Sequence, residues 1–559
     1  MVRKILGRIT APVRGLHQAA YLLASLTLAS QILALLRDRI FAHMFGASET
    51  LDIYYAAFKI PDLVFALVAS LVSAYVLIPR IARLGKPDAR VLISQTTTFL
   101  IVVGGLLCGL LAVFAPKILF VLYPGFADSV ERDAFVFLVR LLLLQPILLG
   151  ISGILTSVTQ IERKFFLFAL SPVLYNIGII GGTLLLYPAF GLYGIGVGVV
   201  LGAVAHVAIH IPVVFEAKLM PRLMAPRPHV IREVLRDSAP RSLALLMSSV
   251  TLLVLSILAA RTGEGGIAVL TFASNLESVP LALIGASYAT AAFPVLAEQL
   301  GSKKYEEFKA TLTAAARHLI FWSSAALVLF IVLRAHIVRI ILGSGAFDWD
   351  ATRLTAAILA ILVFALVAQG FVLLASRAFY AAERSWNPLY IQVVGLVTSL
   401  LTAWLLLYFA SVYPIMTIFM EVLFRVEEVA GSSVLFVALG FTIGQLVMGV
   451  VAFITLRDVA PGVSRSLIRP LFEGLGAAVL GGSAAYGVLT FMGTAAPLTN
   501  LFMVFTQGFV AGMVGLIVSA AVLVLLENKE FRELYATLKK LTSTKALPPS
   551  GTILGGPTQ

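Results

Sequence analysis

The sequence predicts an all-α polytopic membrane protein of about 14 transmembrane helices, built as two parallel six-helix lobes followed by two C-terminal helices. Three observations predict it. Of 559 residues, 60% are hydrophobic and 12% charged, and mean hydropathy is +1.00, too little polar surface for a water-soluble chain of this size. Apolar windows long enough to span a bilayer recur from end to end. Local motifs of the first half return in the second at offsets of roughly 215–221 residues, the length of six helices.

The windows fall at about 19–44, 53–82, 91–116, 134–160, 165–188, 191–215, 233–260 and 266–297, then 309–333, 352–378, 386–410, 433–456, 466–490 and 499–526. An even number places both termini on one side. With the N-terminus cytoplasmic, the inside segments hold roughly 29 Lys/Arg against roughly 7 outside, the bias that such segments require. The basic opening, MVRKILGRITAPVRGLHQ, precedes a window too long for a signal-peptide core and without an evident cleavage site, so it reads as the approach to a retained first helix. The net charge of +13 is spread over short loops with no basic–aromatic patch, so nucleic acid is not an expected partner. Cys108 is the sole cysteine, which excludes disulfides within the chain and thiolate metal sites.

The repeat rests on several pairs. Gly125-Phe126-Ala127-Asp128 returns loosely as Gly345-Ala346-Phe347-Asp348, and Glu162-Arg163 as Glu383-Arg384. Leu170-Ser171-Pro172 resembles Trp386-Asn387-Pro388, while Pro61 and Pro79 match Pro280 and Pro294. An even number of helices per repeat preserves orientation, so the halves are expected to be parallel and to enclose a central cleft. The expected division is 1–218 (N-terminal lobe), 219–460 (C-terminal lobe), 461–527 (a pair of helices beside them) and 528–559 (cytoplasmic tail). The last pair is rich in Gly and Ala, as at Gly474, Gly476, Gly481 and Gly482, which lets backbones approach closely. Residues 411–432 read as an interfacial amphipathic segment. The tail begins as a charged amphipathic helix and ends in a Pro/Gly/Thr-rich stretch expected to be disordered.

The candidate site lies in the opening hairpin, SQILALLRDRIFAHMFGASETLDIYYAAFKIP, Ser30 to Pro61. Arg37, Asp38 and Arg39 sit in its first segment, and Asp52, Lys59 and Asp62 in or beside its second. A charge at the bilayer centre costs about 2.5–3.5 kcal/mol on insertion scales, so such residues pair or face a wet cavity. Ser30 and Arg37, Gln31 and Asp38, and Asp52 and Lys59 are each two helical turns apart and share a face. The competing readings place Arg39 and His43 at headgroup level, Asp52 as a cap of the second helix, and Lys59 snorkelling outward. The repeat makes Thr271 to Pro294 the partner of the second helix. There Asn275 and Glu277 precede Pro280, and Glu277 reads either as a buried neutral acid or as a cleft carboxylate that pairs with Lys59 or Arg37 or takes a proton. Arg241 and Arg140 read as interfacial anchors or ligands.

Other constellations point away from catalysis. His206 and His210 share a helix face but no nearby carboxylate or cysteine completes a metal site. Neither a Walker A loop nor HExxH occurs, and GLYGIGVGVVLG (Gly191 to Gly202) lies in a membrane span with no preceding strand, so it reads as helix packing. No cofactor and no metal are expected, and the driving force would be an ion gradient, the membrane potential or the substrate gradient.

The hairpin motif, continued through Asp62 and Leu63, resembles the opening signature of the MurJ/MviN lipid II flippases, within the MATE-like multidrug/oligosaccharidyl-lipid/polysaccharide exporter superfamily. YPGFAD at Tyr123–Asp128, FALSPVLYNIGII at Phe168–Ile180 and NLESVPLALIGASYATAAFPVLAE at Asn275–Glu298 support it, over about residues 20–460. The resemblance implies a flippase in the bacterial cytoplasmic membrane that moves the undecaprenyl-diphosphate-linked peptidoglycan precursor between leaflets by alternating access. It implies cationic cleft residues on the diphosphate and a groove of the last two helices for the lipid tail. It also implies membrane lipids, and other cell-wall synthesis proteins, as partners. Arg37, Asp38 and Asp52 align with charged family positions. The arginine expected after the serine is instead Gln31, a second falls at Phe65 or Ala66, and a third at Asn275. The usual Glu falls at Ser278, with Glu277 beside it. These departures thin the positive charge of the cleft, and no carboxylate of the eleventh or twelfth helix supplies the sodium site of some members.

The expected substrate-binding set is therefore Arg37, Asp38, Asp52, Lys59, Asn275 and Glu277, with Arg37 on the diphosphate, Asp38 orienting it, and Asp52, Lys59 and Glu277 tuning or gating the cleft. The alternatives are an exporter of another prenyl-linked oligosaccharide or a small cation, and a non-transporting membrane scaffold for cell-wall synthesis. A membrane glycosyltransferase is disfavoured because no loop is long enough to hold its site.

Overall fold

The computed structural model describes residues 16–68, 74–495 and 501–542, and among these all regular structure is helical. The opening hairpin is α1 (Leu16–Phe45) and α2 (Glu49–Leu67), with α3 (Ala74–Arg83) beyond it. Four long helices follow: α4 (Lys86–Leu122), α5 (Arg132–Ile161), α6 (Phe165–Phe190) and α7 (Leu192–Glu216). The second half opens with α8 (Pro228–Ala260), α9 (Gly266–Gly301) and α10 (Tyr305–Ile341). Next come α11 (Trp349–Val363) and α12 (Leu366–Ala381), bent by 48° at their junction, and α13 (Trp386–Val412). The short α14 (Pro414–Phe424), α15 (Val434–Asp458), α16 (Val463–Ala495), α17 (Leu501–Leu525) and α18 (Lys529–Thr542) complete the chain.

Among the described residues, 11 helices are long and apolar enough to cross a membrane, or up to 12 if the bent pair is one span. The count of 14 is not confirmed among the described residues. The two remaining windows are those of the opening hairpin. Their helices are α1, 30 residues long with Arg37, Asp38 and Arg39 in its apolar run, and α2 and α3, which flank residues outside the description. Within 411–432 the chain forms the short apolar α14, whose Ile415, Phe419, Val422 and Leu423 are exposed. The last stretch of the tail and the first 15 residues lie outside the described residues.

In lipid, helices associate through close packing rather than the hydrophobic effect, so small residues matter most. The Gly-rich run of α7 is a packing face. A Cβ on Gly178 of α6 would lie 2.4 Å from the Cα of Gly202, and one on Gly182 would lie 2.6 Å from the Cα of Gly198. In the last pair, a Cβ on Gly481 of α16 would lie 2.4 Å from the carbonyl oxygen of Gly515 on α17. Larger side chains fill the interior between helices, with Phe41, Phe135, Phe272, Phe308, Phe379 and Phe436 fully buried.

The repeat is visible in backbone geometry. The chain leaves α5 through Arg163 (φ 56°) and α12 through Glu383 (φ 59°), equivalent left-handed exits one residue away from the sequence match. The turns before α2 and α9 carry Gly46 (φ 63°) and Gly265 (φ 76°) at corresponding places. The two halves meet where α2 packs against α8 and α9. At the far end of the chain, α18 is held against α10 by the Arg317–Glu530 ion pair, while Asn528 Nδ2 donates to Glu473 at 2.8 Å.

Candidate functional site

The hairpin brings α1 against α6, and between them lies a cavity of about 430 Å³. Ser30, Gln31 and Arg37 of α1 face Pro172, Tyr175 and Asn176 of α6 across it. The spacing along α1 is that of one helical face, as the hairpin sequence requires.

Arg37 is four-fifths buried and Asp38 almost wholly so. Arg37 donates from Nε (3.0 Å) and Nη2 (2.8 Å) to one oxygen of Asp38, and Nη1 reaches Asn176 Oδ1 at 3.4 Å. The other carboxylate oxygen of Asp38 accepts from Asn275 Nδ2 at 2.9 Å. Asp38 therefore orients the guanidinium and ties α1 of the first half to α9 of the second. Two of the three guanidinium nitrogens are held by Asp38, while Nη1, which reaches Asn176, has a second N–H to offer a phosphate oxygen in the cavity.

The remaining predicted residues are placed elsewhere. Asp52 is buried at the N-terminus of α9, where its carboxylate accepts from the backbone N–H of Ala268 at 2.7 Å. Asp52 thus caps a helix, but the ninth and not its own. Its oxygen meets an otherwise free N–H group at the positive end of the helix dipole. Lys59 is half-buried and makes no hydrogen bond or ion pair among the described residues; the charge it feels is Asp62, one turn on. Glu277 is buried and accepts from Gln369 Nε2 at 2.9 Å between α9 and α12. The expected pairing of Glu277 with Lys59 or Arg37 is not formed, because the amide of Gln369 occupies that role inside the second half. The structure therefore gathers Arg37, Asp38 and Asn275 at one point and separates Asp52 and Glu277 from it.

Sequence reasoning missed Asn176 and Gln369. Each is a lone amide in an apolar run, which is the signal that could have found them. Arg39 is also more specific than a headgroup anchor: Nη1 donates to the carbonyls of Ile340 (2.6 Å) and Ile341 (3.1 Å), capping the C-terminus of α10. Arg140 donates to the carbonyl of Ala112 at 2.9 Å. His206 and His210 are hydrogen-bonded by hydroxyls: Ser152 at 2.7 Å, and Thr156 and Thr159 at 3.0 and 3.1 Å.

Around Asp52 the halves interlock, at what we call the turn end. A Cβ on Gly46 would lie 2.4 Å from the carbonyl oxygen of Ala346, and one on Gly265 the same distance from that of Ala47. The backbone N–H of Ala346 donates to His43 at 2.9 Å. Below these turns an edge-on aromatic chain crosses between halves, Tyr55–Phe272 at 6.0 Å and Phe272–Phe347 at 5.6 Å. At the opposite end the halves are joined by exposed ion pairs, Arg80 to Asp237 at 2.5 Å and to Glu233 at 3.4 Å.

In fold, the helical bundle resembles solved MATE-like transporters. A multidrug resistance MATE family transporter of the MOP superfamily, in an inward-facing conformation, superposes with a TM-score of 0.64 at 18% identity, over 78% of this chain and 96% of that one. The structure of a lipid II flippase MurJ in an inward closed conformation superposes at 0.72 and 19% identity, over 91% of this chain and all of that one. In sequence, the family profile described as lipid II flippase MurJ matches residues 41–417, and the chain belongs to that family. Among its relatives, the lipid II flippase MurJ of Burkholderia cenocepacia is 22% identical over 69% of this chain and 78% of its own length. The probable lipid II flippase MurJ of Bdellovibrio bacteriovorus is 25% identical over 82% and 85%.

Proposed function

We propose that the chain translocates undecaprenyl-diphosphate-linked peptidoglycan precursor, lipid II, across the bacterial inner membrane by alternating access. Family membership supports the reading, and one observation carries it: Arg37 faces the α1–α6 cavity while Asp38 holds it and reaches across to Asn275. A diphosphate entering that cavity would meet the second N–H of Arg37 Nη1. Its charge would compete with Asp38 for the guanidinium, and the Asp38–Asn275 bond between the halves would weaken as a result. Substrate binding would in this way be coupled to the contact that the halves must break in order to move. The lobes that move are 1–218 and 219–460, with 461–527 guiding the lipid tail and 528–559 a cytoplasmic tail. The positive charge of the loops puts both termini in the cytoplasm, so the turn end faces outward and Arg80 inward. The family is one of transporters, and the step makes and breaks no covalent bond. Asp52 and Glu277 act as positioning residues rather than ligands, and Lys59 remains as a second cation for the headgroup.

Reconstitution of the full chain into liposomes with labelled lipid II tests this. Label should cross to the other leaflet with the wild type and be slowed at least about tenfold by Arg37→Ala, since charge-assisted hydrogen bonds contribute about 1.5–3 kcal/mol each. Label that stays in its leaflet with the wild-type chain would leave a scaffold as the better reading. Transport of a different prenyl-diphosphate glycan in preference to lipid II would reassign the cargo.

A further inference from the structure

A larger cavity, about 910 Å³, lies away from the central site, between α10, α11, the α14 turn and α16. Arg334, Arg353 and Arg425 line it together with Tyr486. Arg334 stands seven residues before the end of α10, so about 10 Å below the turn end at 1.5 Å per residue. Its hydrogen bond is to the carbonyl of Ile331 in its own helix, 3.0 Å away. Arg425 reaches Tyr486 Oη at 3.4 Å, and the like charges of Arg334 and Arg425 act on each other. Among the described residues, neither is paired with a carboxylate. Arg334 is half-buried and Arg425 is exposed at the chamber's mouth, so two like charges face one chamber with no carboxylate on either, an arrangement that an anion would complete.

The chamber is built rather than incidental. Arg425 has left-handed backbone (φ 59°) as it closes α14, a conformation that a non-glycine residue seldom adopts. The turn is locked by Arg353, whose Nε donates to the carbonyl of Arg425 at 2.9 Å and whose Nη2 reaches Glu427 at 3.4 Å. Arg353 thus spends its charge on Glu427 and Asp350 and aims Arg425. The chamber also has an apolar continuation. Leu327 and Phe364 line both it and a second cavity of about 450 Å³, whose other walls include Phe371, Phe453, Leu471 and Phe472.

We infer that this chamber binds the phosphate of a chain-bearing lipid, with Arg334, Arg425 and the Tyr486 hydroxyl on the headgroup and the hydrocarbon chain in the apolar continuation. Its position at the turn end sets it apart from the Arg37 site in location and helices, so it stands whether or not Arg37 carries the transport step. An apolar slot alone would accept any lipid; the unpaired arginines select for phosphate.

Thermal stabilisation of the full chain in detergent is the test, with dioleoyl phosphatidate, dioleoylglycerol and inorganic phosphate as probes. Phosphatidate should raise Tm saturably, dioleoylglycerol should not, and inorganic phosphate should act only at much higher concentration. Arg334→Gln with Arg425→Gln should weaken phosphatidate at least about tenfold, and the lysine pair less. Should the double glutamine variant fail to run as one species, Arg425→Gln alone carries the test, with at least about a threefold loss expected. Equal stabilisation by dioleoylglycerol, or phosphatidate affinity unchanged in these variants, would overturn the site. Inorganic phosphate binding as tightly as phosphatidate would overturn the lipid assignment.

Discussion

The carboxylate of Asp52 accepts a hydrogen bond from the backbone N–H of Ala268 at 2.7 Å, so the second helix of one half caps the ninth helix from outside. The bond is buried, and it sits beside the interlocked turns at Gly46 and Gly265. It therefore exists only while the turn end is shut.

Replacing Asp52 by Ala should lower stability by about 1–2 kcal/mol, the cost of a lost helix cap, while Asn should retain most of it. Chemical or thermal unfolding of the two variants measures the difference. Equal loss in both would show that charge rather than capping matters there.

Gly265→Ala should hold the turn end ajar, because its Cβ would stand 2.4 Å from the Ala47 carbonyl at φ 76°. In a background lacking Cys108, a cysteine introduced at Ala47 should react faster with a membrane-impermeant thiol reagent when Gly265→Ala is present. No change in labelling would mean that the turns part freely in the wild type.

The Arg80–Asp237 contact should behave as a weak gate. Arg80→Glu should speed labelling of the cavity from the opposite end, and Asp237→Arg should restore the slow rate. The coupling energy between the two should be at most about 1 kcal/mol, because both side chains meet solvent and salt screens them. A coupling that resists high salt would mark the pair as buried in the working protein.

Glu277→Gln should leave the affinity for a prenyl-diphosphate lipid within about twofold, because its partner is the uncharged Gln369 and Arg37 lies elsewhere. Asp38→Asn should instead tighten it severalfold, because the diphosphate would no longer compete with a carboxylate for Arg37. Direct titration of the purified variants separates the two.

The sequence made the helical bundle, the hairpin and the residues Arg37, Asp38 and Asn275 legible for a physical reason: charge and amide groups stand out against an apolar background. Residue spacing placed Ser30 and Arg37 on one face, and both do face the cavity. The partners of Asp52 and Glu277 were not legible. Asp52 finds backbone N–H groups 216 positions away, and a backbone group leaves no mark in a sequence. Glu277 finds an amide in another helix, and the bend between α11 and α12, which no proline announces, sets where Gln369 points. The count of 14 is not confirmed: the described residues carry 11 spans, or up to 12, and the two windows of the hairpin border residues outside the description.

Gly46 and Gly265 join the halves through main chain alone, with no side chain at either to repack. Such a joint resembles a fulcrum more than a seal. A tilt of about 10° about it would part the far ends of a 30 Å helix by about 5 Å. That displacement falls at the level of Arg80, so a small rocking at the hinge is magnified at the opposite end of the helices.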